Sequence, residues 1–306
     1  MLSDRTVYLN GDFVEWEKAT VHVMSHSLAR GSAIFEVIGL NQTEMGPSVF
    51  RLDEHVDRLF RTAALLSAEL PLSKEGFESA VLATVRANSV SEGFVKVVCY
   101  YHETGFDILC SQKALDVCIV VVDPARDLED YHPAPSRGVS ACICKWRKLH
   151  PETAPVEAKV AGNYINGIMA GLEARRRGFD RGIMLDTQGF VAEASLESVF
   201  LVKDDALTAC HLGTVLPSIG RKTLLEAAPR AGIKTVEKRV SPEALLESEE
   251  VFLCSSPDGM VPVNRIEGRV FDKVPGVVTE KLLTLLGEIR SGRNPEFRKW
   301  LFPATE

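Results

Sequence analysis

The sequence has no long apolar run and no excess of positive charge. No uninterrupted apolar segment reaches the roughly 18 residues that a membrane helix needs, and the amino-terminal stretch MLSDRTVYLNGDF has no apolar core like that of a signal peptide. The 42 aspartates and glutamates exceed the 35 lysines and arginines, which gives a formal net charge of −7, whereas nucleic-acid binding needs a basic field. The composition therefore predicts a cytoplasmic protein that neither spans a membrane nor binds nucleic acid.

Cysteine is scarce, and its spacing does not indicate a disulfide framework. Seven cysteines, an odd number, are scattered through 306 residues. Cys142 and Cys144 lie two residues apart, which places both on one face of a strand and not in a metal knuckle. We expect buried free thiols and no metal site.

The sequence also lacks internal repeats and low-complexity tracts, and its length suggests two domains. Residues 123–138 are polar, contain three prolines and show no periodicity, which is typical of an interdomain loop or of a lid over a site. The predicted division is a small amino-terminal α+β domain at 1–122, this loop, and a larger domain at 139–306. The fold class is α/β in the broad sense, with α+β character.

Hydrophobic periodicity and turn residues predict the individual elements. Asn10-Gly11 indicates a hairpin turn, and segment 33–40 alternates so that Phe35 and Val37 lie on one face and Glu36 and Ile38 on the other. The predicted strands are 6–13, 20–23, 33–40, 94–101, 114–122 and 181–186. The predicted helices are 52–68, 74–88, 164–177, 222–231, 242–246 and 279–289.

A lysine and a glutamate stand out near the centre of the chain. Lys159 lies in an Ala/Val/Gly segment just before the predicted amphipathic helix 164–177, and Glu193 is flanked by small apolar residues on a second strand. A carboxylate in such surroundings needs a cationic partner. In pyridoxal phosphate (PLP) enzymes a lysine forms a Schiff base with the cofactor and a carboxylate pairs with the pyridinium nitrogen. Taken alone, a lysine before a helix is more often a solvated residue.

Several further segments are spelled like those of one enzyme family. They are Tyr8-Leu-Asn-Gly-Asp-Phe-Val, Val21-His-Val-Met-Ser-His-Ser, Gly31-Ser-Ala-Ile-Phe-Glu, Phe50-Arg-Leu-Asp-Glu-His, Lys159-Val-Ala-Gly-Asn-Tyr164, Gly182-Ile-Met-Leu-Asp186, Leu216-Pro-Ser-Ile-Gly-Arg221 and Glu249-Glu-Val-Phe252. Together they resemble the class IV aminotransferases, a group that includes branched-chain amino acid aminotransferases, D-amino acid aminotransferases and aminodeoxychorismate lyases. The resemblance covers nearly the whole chain.

This resemblance implies the two-domain PLP fold type IV, with the cofactor in the interdomain cleft and a homodimer as the assembly. It implies that Lys159 forms the Schiff base and later carries the proton between the substrate α-carbon and the cofactor, and that Glu193 pairs with the pyridinium. The remaining cofactor residues implied by the resemblance are Arg58, Ile219, Gly220 and Ser256 at the phosphate, Tyr164 at the phenolic oxygen and Leu216 on the ring face.

The pocket for the substrate carboxylate departs from the branched-chain pattern. Those enzymes use an arginine on the third strand, a Tyr-x-Arg pair and two backbone N–H groups in a Gly-Thr-Ala turn. Here the corresponding positions are Gly39, the pair Phe94 and Lys96, and a turn that contains Pro257. Proline has no N–H to donate, and at the position of Lys96 an ammonium replaces the planar guanidinium of the arginine in those enzymes.

Two more residues complete the predicted substrate pocket. Phe35 lies on the same strand, and Val37 replaces a glycine of the branched-chain enzymes and narrows the pocket, as in the D-amino acid enzymes.

The resulting hypothesis is a PLP-dependent transaminase that passes an amino group from an amino acid or amine to a 2-oxo acid, and that is like a branched-chain enzyme with an atypical carboxylate pocket. One alternative is a D-amino acid or (R)-amine transaminase. Another is a lyase of the aminodeoxychorismate type, which shares the cofactor residues. A non-catalytic PLP-binding protein is the alternative from a different class.

Overall fold

The computed structural model describes residues 1–129, 131, 135 and 137–305. The chain forms two compact units: unit 1 contains residues 1–131, 158–162 and 288–306, and unit 2 contains 132–157 and 163–287. In the described part of the chain, no helix has the length and apolar character needed to cross a membrane.

Sixteen strands are labelled in chain order. They are β1 Thr6–Leu9, β2 Asp12–Glu15, β3 Ile34–Thr43, β4 Gly46–Phe50, β5 Gly93–Tyr100, β6 Asp116–Val122, β7 Val139–Arg147, β8 Arg181–Leu185, β9 Val191–Ala194, β10 Ser198–Lys203, β11 Ala206–Cys210, β12 Lys234–Lys238, β13 Glu250–Ser255, β14 Gly259–Ile266, β15 Arg269–Val270 and β16 Leu301–Pro303. The helices are α1 His26–Arg30, α2 Leu52–Leu65, α3 Lys74–Asn88, α4 Pro124–Asp127, α5 Tyr164–Arg176, α6 Ile219–Ala227, α7 Pro242–Leu246 and α8 Val277–Arg290.

Unit 1 is built on a seven-stranded sheet in the order β16-β4-β3-β5-β6-β1-β2. The predicted hairpin turn is confirmed, because β1 and β2 pair around Asn10 and Gly11, both of which have positive φ. The predicted strand 6–13 is wrong in its extent, since this turn divides it into β1 and β2. One face of this sheet is buried against α2, which packs on β3, and α3, which packs on β1, β5 and β6; the two helices bring apolar side chains such as Leu59 and Phe77 to the core. The opposite face of β3 carries Phe35 and Val37, as the alternation predicted.

Unit 2 contains a nine-stranded sheet in the order β12-β11-β10-β13-β14-β7-β8-β9, with β15 paired to β14. Strand β9 pairs with both β8 and β10, so six of the strands close into a ring. Its apolar clusters include a stacked pair of rings, Phe200 and Phe252.

Helix α5 confirms the predicted helix, but its large apolar side chains face outward. Ile165 and Ile168 are 57% and 55% exposed, whereas Gly167, Ala170 and Ala174 are buried. Small residues are required on the inner face, because a Cβ on Gly167 would lie 2.3 Å from the carbonyl oxygen of Ser195. The periodicity located the helix, and close backbone packing decided which side is buried.

Two expectations are corrected. Segment 20–23 is not a strand, and Val21 and Val23 are exposed, because alternation alone provides no neighbouring strand with which to pair. Residues 288–306 and 158–162 group with unit 1 and not with a continuous domain at 139–306; β16 pairs with β4 and Val160 bridges Ile34.

All seven cysteines are free, and Cys142 and Cys144 are buried as predicted, whereas Cys110 and Cys118 are only partly buried. The predicted loop at 123–138 lies partly outside the described residues, and its first part contains α4.

Candidate active site

Lys159 is held in unit 1 by its backbone. Its N–H donates to Thr62 Oγ1 of α2 at 3.1 Å, and its carbonyl accepts from the N–H of Phe35 at 3.1 Å. Ala158 and Val160 on either side are buried in the core of unit 1. Because neighbouring residues of an extended segment point to opposite sides, Lys159 projects away from that core, and its Nζ lies 4.6 Å from the centroid of the Phe35 ring.

The predicted substrate residues of unit 1 share one face of the sheet. Phe35, Val37 and Gly39 of β3 lie opposite Val98, Lys96 and Phe94 of β5, and residues directly opposite in a sheet project from the same face.

Lys96 is exposed on that face, and its Nζ lies 5.8 Å from the centroid of the Phe35 ring. Two ammonium groups, those of Lys96 and Lys159, therefore approach the same aromatic ring. Among the described residues, no carboxylate lies within ion-pair distance of Lys96.

Arg58 is buried on α2 and forms a two-point contact with Glu36 of β3. Its Nε donates to Glu36 Oε1 at 2.8 Å and its Nη2 donates to Oε2 at 2.6 Å. His55 Nδ1 lies 2.7 Å from the same Oε2. Burial alone would raise the pKa of Glu36, but the charge and hydrogen bonds of Arg58, together with His55, lower it to about 2. Burial lowers the pKa of His55, so this imidazole is neutral near pH 7.

Glu193 lies on β9 in unit 2 and has the cationic partner that its surroundings require. Lys148, just after β7, forms an ion pair with Glu193 Oε1, and the two side chains are 9% and 15% exposed. The backbone N–H of Lys148 donates to the carbonyl of Leu185 at 2.8 Å, which fixes its place at the end of β8.

No described residue donates a hydrogen bond to Glu193 Oε2. Lys148 was not predicted as this partner, because the only signal in the sequence was that a poorly solvated carboxylate needs a cation nearby.

Helix α6 begins at Ile219, three residues earlier than predicted. Ser218 caps it, with its Oγ accepting from the N–H of Arg221 at 3.3 Å. A Cβ on Gly220 would lie 2.9 Å from Cys254 Sγ, so glycine permits the helix start to pack closely against β13. The first turn of a helix has N–H groups without intrahelical acceptors, which suits a phosphate.

The other candidates of unit 2 occupy a helix start and two connections. Tyr164 is the first residue of α5, and Leu216, which precedes α6, is half-buried. Ser256 and Pro257 lie in the turn between β13 and β14.

Asp258 completes that turn, and its N–H donates to Ser255 Oγ at 3.3 Å while Ser255 Oγ donates to Asp258 Oδ2 at 3.0 Å. The turn thus carries a carboxylate and uses one of its own backbone donors internally.

A family model described as amino-transferase class IV matches residues 33–266 of the chain. The chain belongs to the class IV aminotransferases. It is 30% identical to the branched-chain-amino-acid aminotransferase of Pseudomonas aeruginosa over 298 residues, which are 97% of this chain and 96% of that protein.

Among solved structures, the branched-chain aminotransferase of Thermoproteus uzoniensis with norvaline superposes with a TM-score of 0.92 at 32% identity, covering 98% of this chain and 99% of that one. The branched-chain amino acid aminotransferase of Thermobaculum terrenum in its PLP form superposes with a TM-score of 0.90 at 24% identity, covering 100% of both chains. The fold is therefore that of the type IV PLP enzymes.

This class IV aminotransferase is a PLP-dependent transaminase, and its residues fit that cofactor. Unit 1 provides the half-buried Lys159 and the buried Arg58. Unit 2 provides Glu193, whose Oε2 accepts no hydrogen bond from the described residues. It also provides the start of α6, where Gly220 leaves no room for a side chain. The described residues contain no group of three or more His, Cys, Asp or Glu placed to hold a metal. The relatives are transaminases, so the comparisons do not favour the lyase or the D-amino acid and (R)-amine alternatives.

Proposed function

We propose that this aminotransferase transfers amino groups between branched-chain or similar amino acids and 2-oxo acids, and that Lys96 recognises the substrate carboxylate. The observation that carries the proposal is the shared aromatic ring: Lys159 and Lys96 both lie over Phe35. One side-chain amine, once deprotonated, is then available for covalent chemistry with the cofactor, and the other, as an ammonium, is available for an anionic group of the substrate. Relatives named branched-chain aminotransferases support the substrate class.

We assign a role to each cofactor residue. Bound PLP supplies an electron sink for the substrate α-carbon. Lys159 holds the cofactor covalently and then moves a proton at that carbon. Glu193 keeps the pyridine nitrogen protonated, and Lys148 forms the ion pair that holds Glu193 in place.

The remaining roles concern orientation of the cofactor. Arg58, Ser256 and the N–H groups of Ile219 and Gly220 bind the phosphate. Tyr164 donates to the phenolic oxygen, and Leu216 packs on the ring. These assignments follow the resemblance and agree with the local chemistry described above.

The carboxylate pocket has few donors besides Lys96. Gly39 and Phe94 bring no polar side chain to the face of β3 and β5, Pro257 has no N–H, and the N–H of Asp258 is already bonded to Ser255. The negative charge of Asp258 also opposes a substrate carboxylate at this turn. A charge-assisted hydrogen bond contributes about 1.5 to 3 kcal/mol, so Lys96 should account for much of the carboxylate selectivity.

The test is a panel of L-leucine, L-isoleucine, D-alanine and (R)-1-phenylethylamine with 2-oxoglutarate or pyruvate as acceptor. We expect Lys96→Met to lower kcat/KM for the amino acids at least tenfold and to leave the amine, which has no carboxylate, within about twofold. Lys18→Met is the control, because Lys18 is exposed and, in the part of the chain that the structure describes, forms an ion pair only with Glu15. An equal loss for L-leucine and the amine would rule out Lys96 as the carboxylate receptor.

The panel also tests the substrate class. A wide preference for the amine or for D-alanine in the wild-type enzyme would reject the branched-chain proposal. Pro257→Ala adds a backbone donor to the turn and should raise kcat/KM for L-leucine. An unchanged kcat/KM would show that this turn does not bind the substrate carboxylate.

We further propose that the enzyme is a cytoplasmic homodimer. Phe106, Ile108 and Leu109 of unit 1 are 87%, 76% and 80% exposed, and apolar surface of this kind is typical of an interface. The seven cysteines are free, as in a reducing compartment. Light scattering on the purified protein, with Ile108→Lys as the dissociating variant, tests the dimer, and a monomeric wild type would refute it. Cell fractionation tests the location.

A further inference from the structure

Helix α2 turns a stripe of polar side chains toward the core. His55, Arg58 and Thr62 follow one another at spacings of three and four residues, so they lie on one helix face, and all three are buried. Each has a partner that matters to the site: Thr62 bonds the backbone of Lys159, and the other two bond Glu36. Burying such groups is costly unless they are paired, which points to a specific use.

The contact between Arg58 and Glu36 fixes an orientation and not only a charge. A guanidinium is planar, so two parallel hydrogen bonds along one edge, at 2.8 and 2.6 Å, also set the direction of its remaining N–H groups. Glu36 is 1% exposed and is anchored within β3. The direction of Arg58 is therefore set by the sheet.

His55 anchors the other end of this arrangement. A carboxylate only accepts hydrogen bonds, so the ring nitrogen Nδ1 that contacts Glu36 must carry the hydrogen. In the described residues Nε2 has no hydrogen-bond partner. The neutral imidazole adds no charge to the cluster. Its one hydrogen bond, from Nδ1, holds Glu36 Oε2 in line with Arg58.

We propose that Glu36 and His55 are positioning residues for the cofactor phosphate, which orient the Arg58 guanidinium before the cofactor binds. This inference rests on the assignment of Arg58 to the phosphate under the proposed function. The carboxylate of Glu36 also offsets the cost of burying the Arg58 guanidinium.

The experiment compares PLP with pyridoxal, which lacks only the phosphate. Both ligands are titrated into the full-length apoenzyme, and the ratio of their Kd values measures what the phosphate contributes. Glu36→Gln keeps the size of the side chain but loses one of the two acceptors for Arg58. Glu36→Asp keeps the charge but withdraws it by one methylene. Asp57→Asn is the control on the same helix, because Asp57 is half exposed and pairs with Lys74 outside the cluster.

We expect both Glu36 variants to raise the Kd for PLP about tenfold or more, the effect of losing one charge-assisted hydrogen bond, while the Kd for pyridoxal stays within about threefold. His55→Asn should produce a smaller change of the same kind, and Asp57→Asn none. Circular dichroism verifies folding, and Glu36→Asp carries the test if the glutamine variant does not fold.

Three results would overturn the inference. They are a Glu36→Gln variant that binds PLP more tightly, a Glu36→Asp variant with wild-type affinity, and equal weakening of PLP and pyridoxal. Arg58→Met separates this inference from the proposed function. If Arg58→Met leaves the PLP preference intact, the phosphate assignment itself fails; if it abolishes the preference while both Glu36 variants retain it, only the positioning role fails.

Discussion

The pair of Lys148 and Glu193 gives the sharpest prediction about stability and catalysis together. Glu193→Gln removes the negative charge and leaves the ammonium of Lys148, which is 9% exposed, without its partner. Breaking a buried ion pair by removing one member costs about 3 to 5 kcal/mol. Because both side chains keep some solvent contact, we expect the lower end, about 3 kcal/mol, in the free energy of unfolding.

Lys148→Met should cost a similar amount, because the carboxylate is then left alone. The double variant removes both charges and should be more stable than the sum of the two single losses predicts, since replacing both members of a buried pair by uncharged groups is often nearly neutral. Urea unfolding of the four apoproteins measures this coupling. The matched control is Lys145→Met, an exposed lysine of β7 that lies over Trp146, which should change stability by less than about 0.5 kcal/mol.

Turnover provides the second measurement. Both single variants should lose turnover far more than they lose bound PLP, because Glu193→Gln removes the partner of the pyridinium and Lys148→Met removes the ion pair that positions Glu193. The double variant should be no slower than Glu193→Gln. Stability losses that add within about 0.5 kcal/mol, or a Glu193→Gln turnover within twofold of wild type, would refute the argument.

Three other predictions follow from the geometry. Borohydride reduction should attach the cofactor to Lys159, and Lys159→Ala should lose the covalent link and the yellow colour while still binding some PLP; attachment to a different lysine in a peptide map would refute the assignment. The free energy of unfolding should fall as pH drops below about 6.5, because burial lowers the folded pKa of His55 and the imidazole then protonates only in the unfolded chain. It should fall again between pH 4.5 and about 2 as Glu36 protonates. His55→Asn should remove the first of these two losses of stability, and urea unfolding that gives the same free energy between pH 5 and 7 would contradict the prediction. Gly220→Ala should lower Tm and weaken PLP binding, because its Cβ would lie 2.9 Å from Cys254 Sγ and overpacking costs about 1 to 3 kcal/mol; a Tm equal to that of wild type would show that β13 can move aside.

The sequence determined the elements whose signal is local. The Asn10-Gly11 turn, the alternation along β3 and the full span of α3 at Lys74–Asn88 were all predicted, because turn chemistry and side-chain periodicity depend on neighbours in the chain. The family and its cofactor were also predicted from motifs. The roles of the individual site residues stay predictions.

Only the tertiary structure decided which distant groups meet. Nothing near Lys148 in the chain indicates Glu193 as its partner, and Glu36 reads as an ordinary polar position until α2 packs against β3. The outward apolar face of α5 has the same origin, because the close approach of Gly167 to Ser195 overrides what hydrophobicity favours. Periodicity fixes which side chains share a face, but long-range packing and charge pairing decide what that face meets.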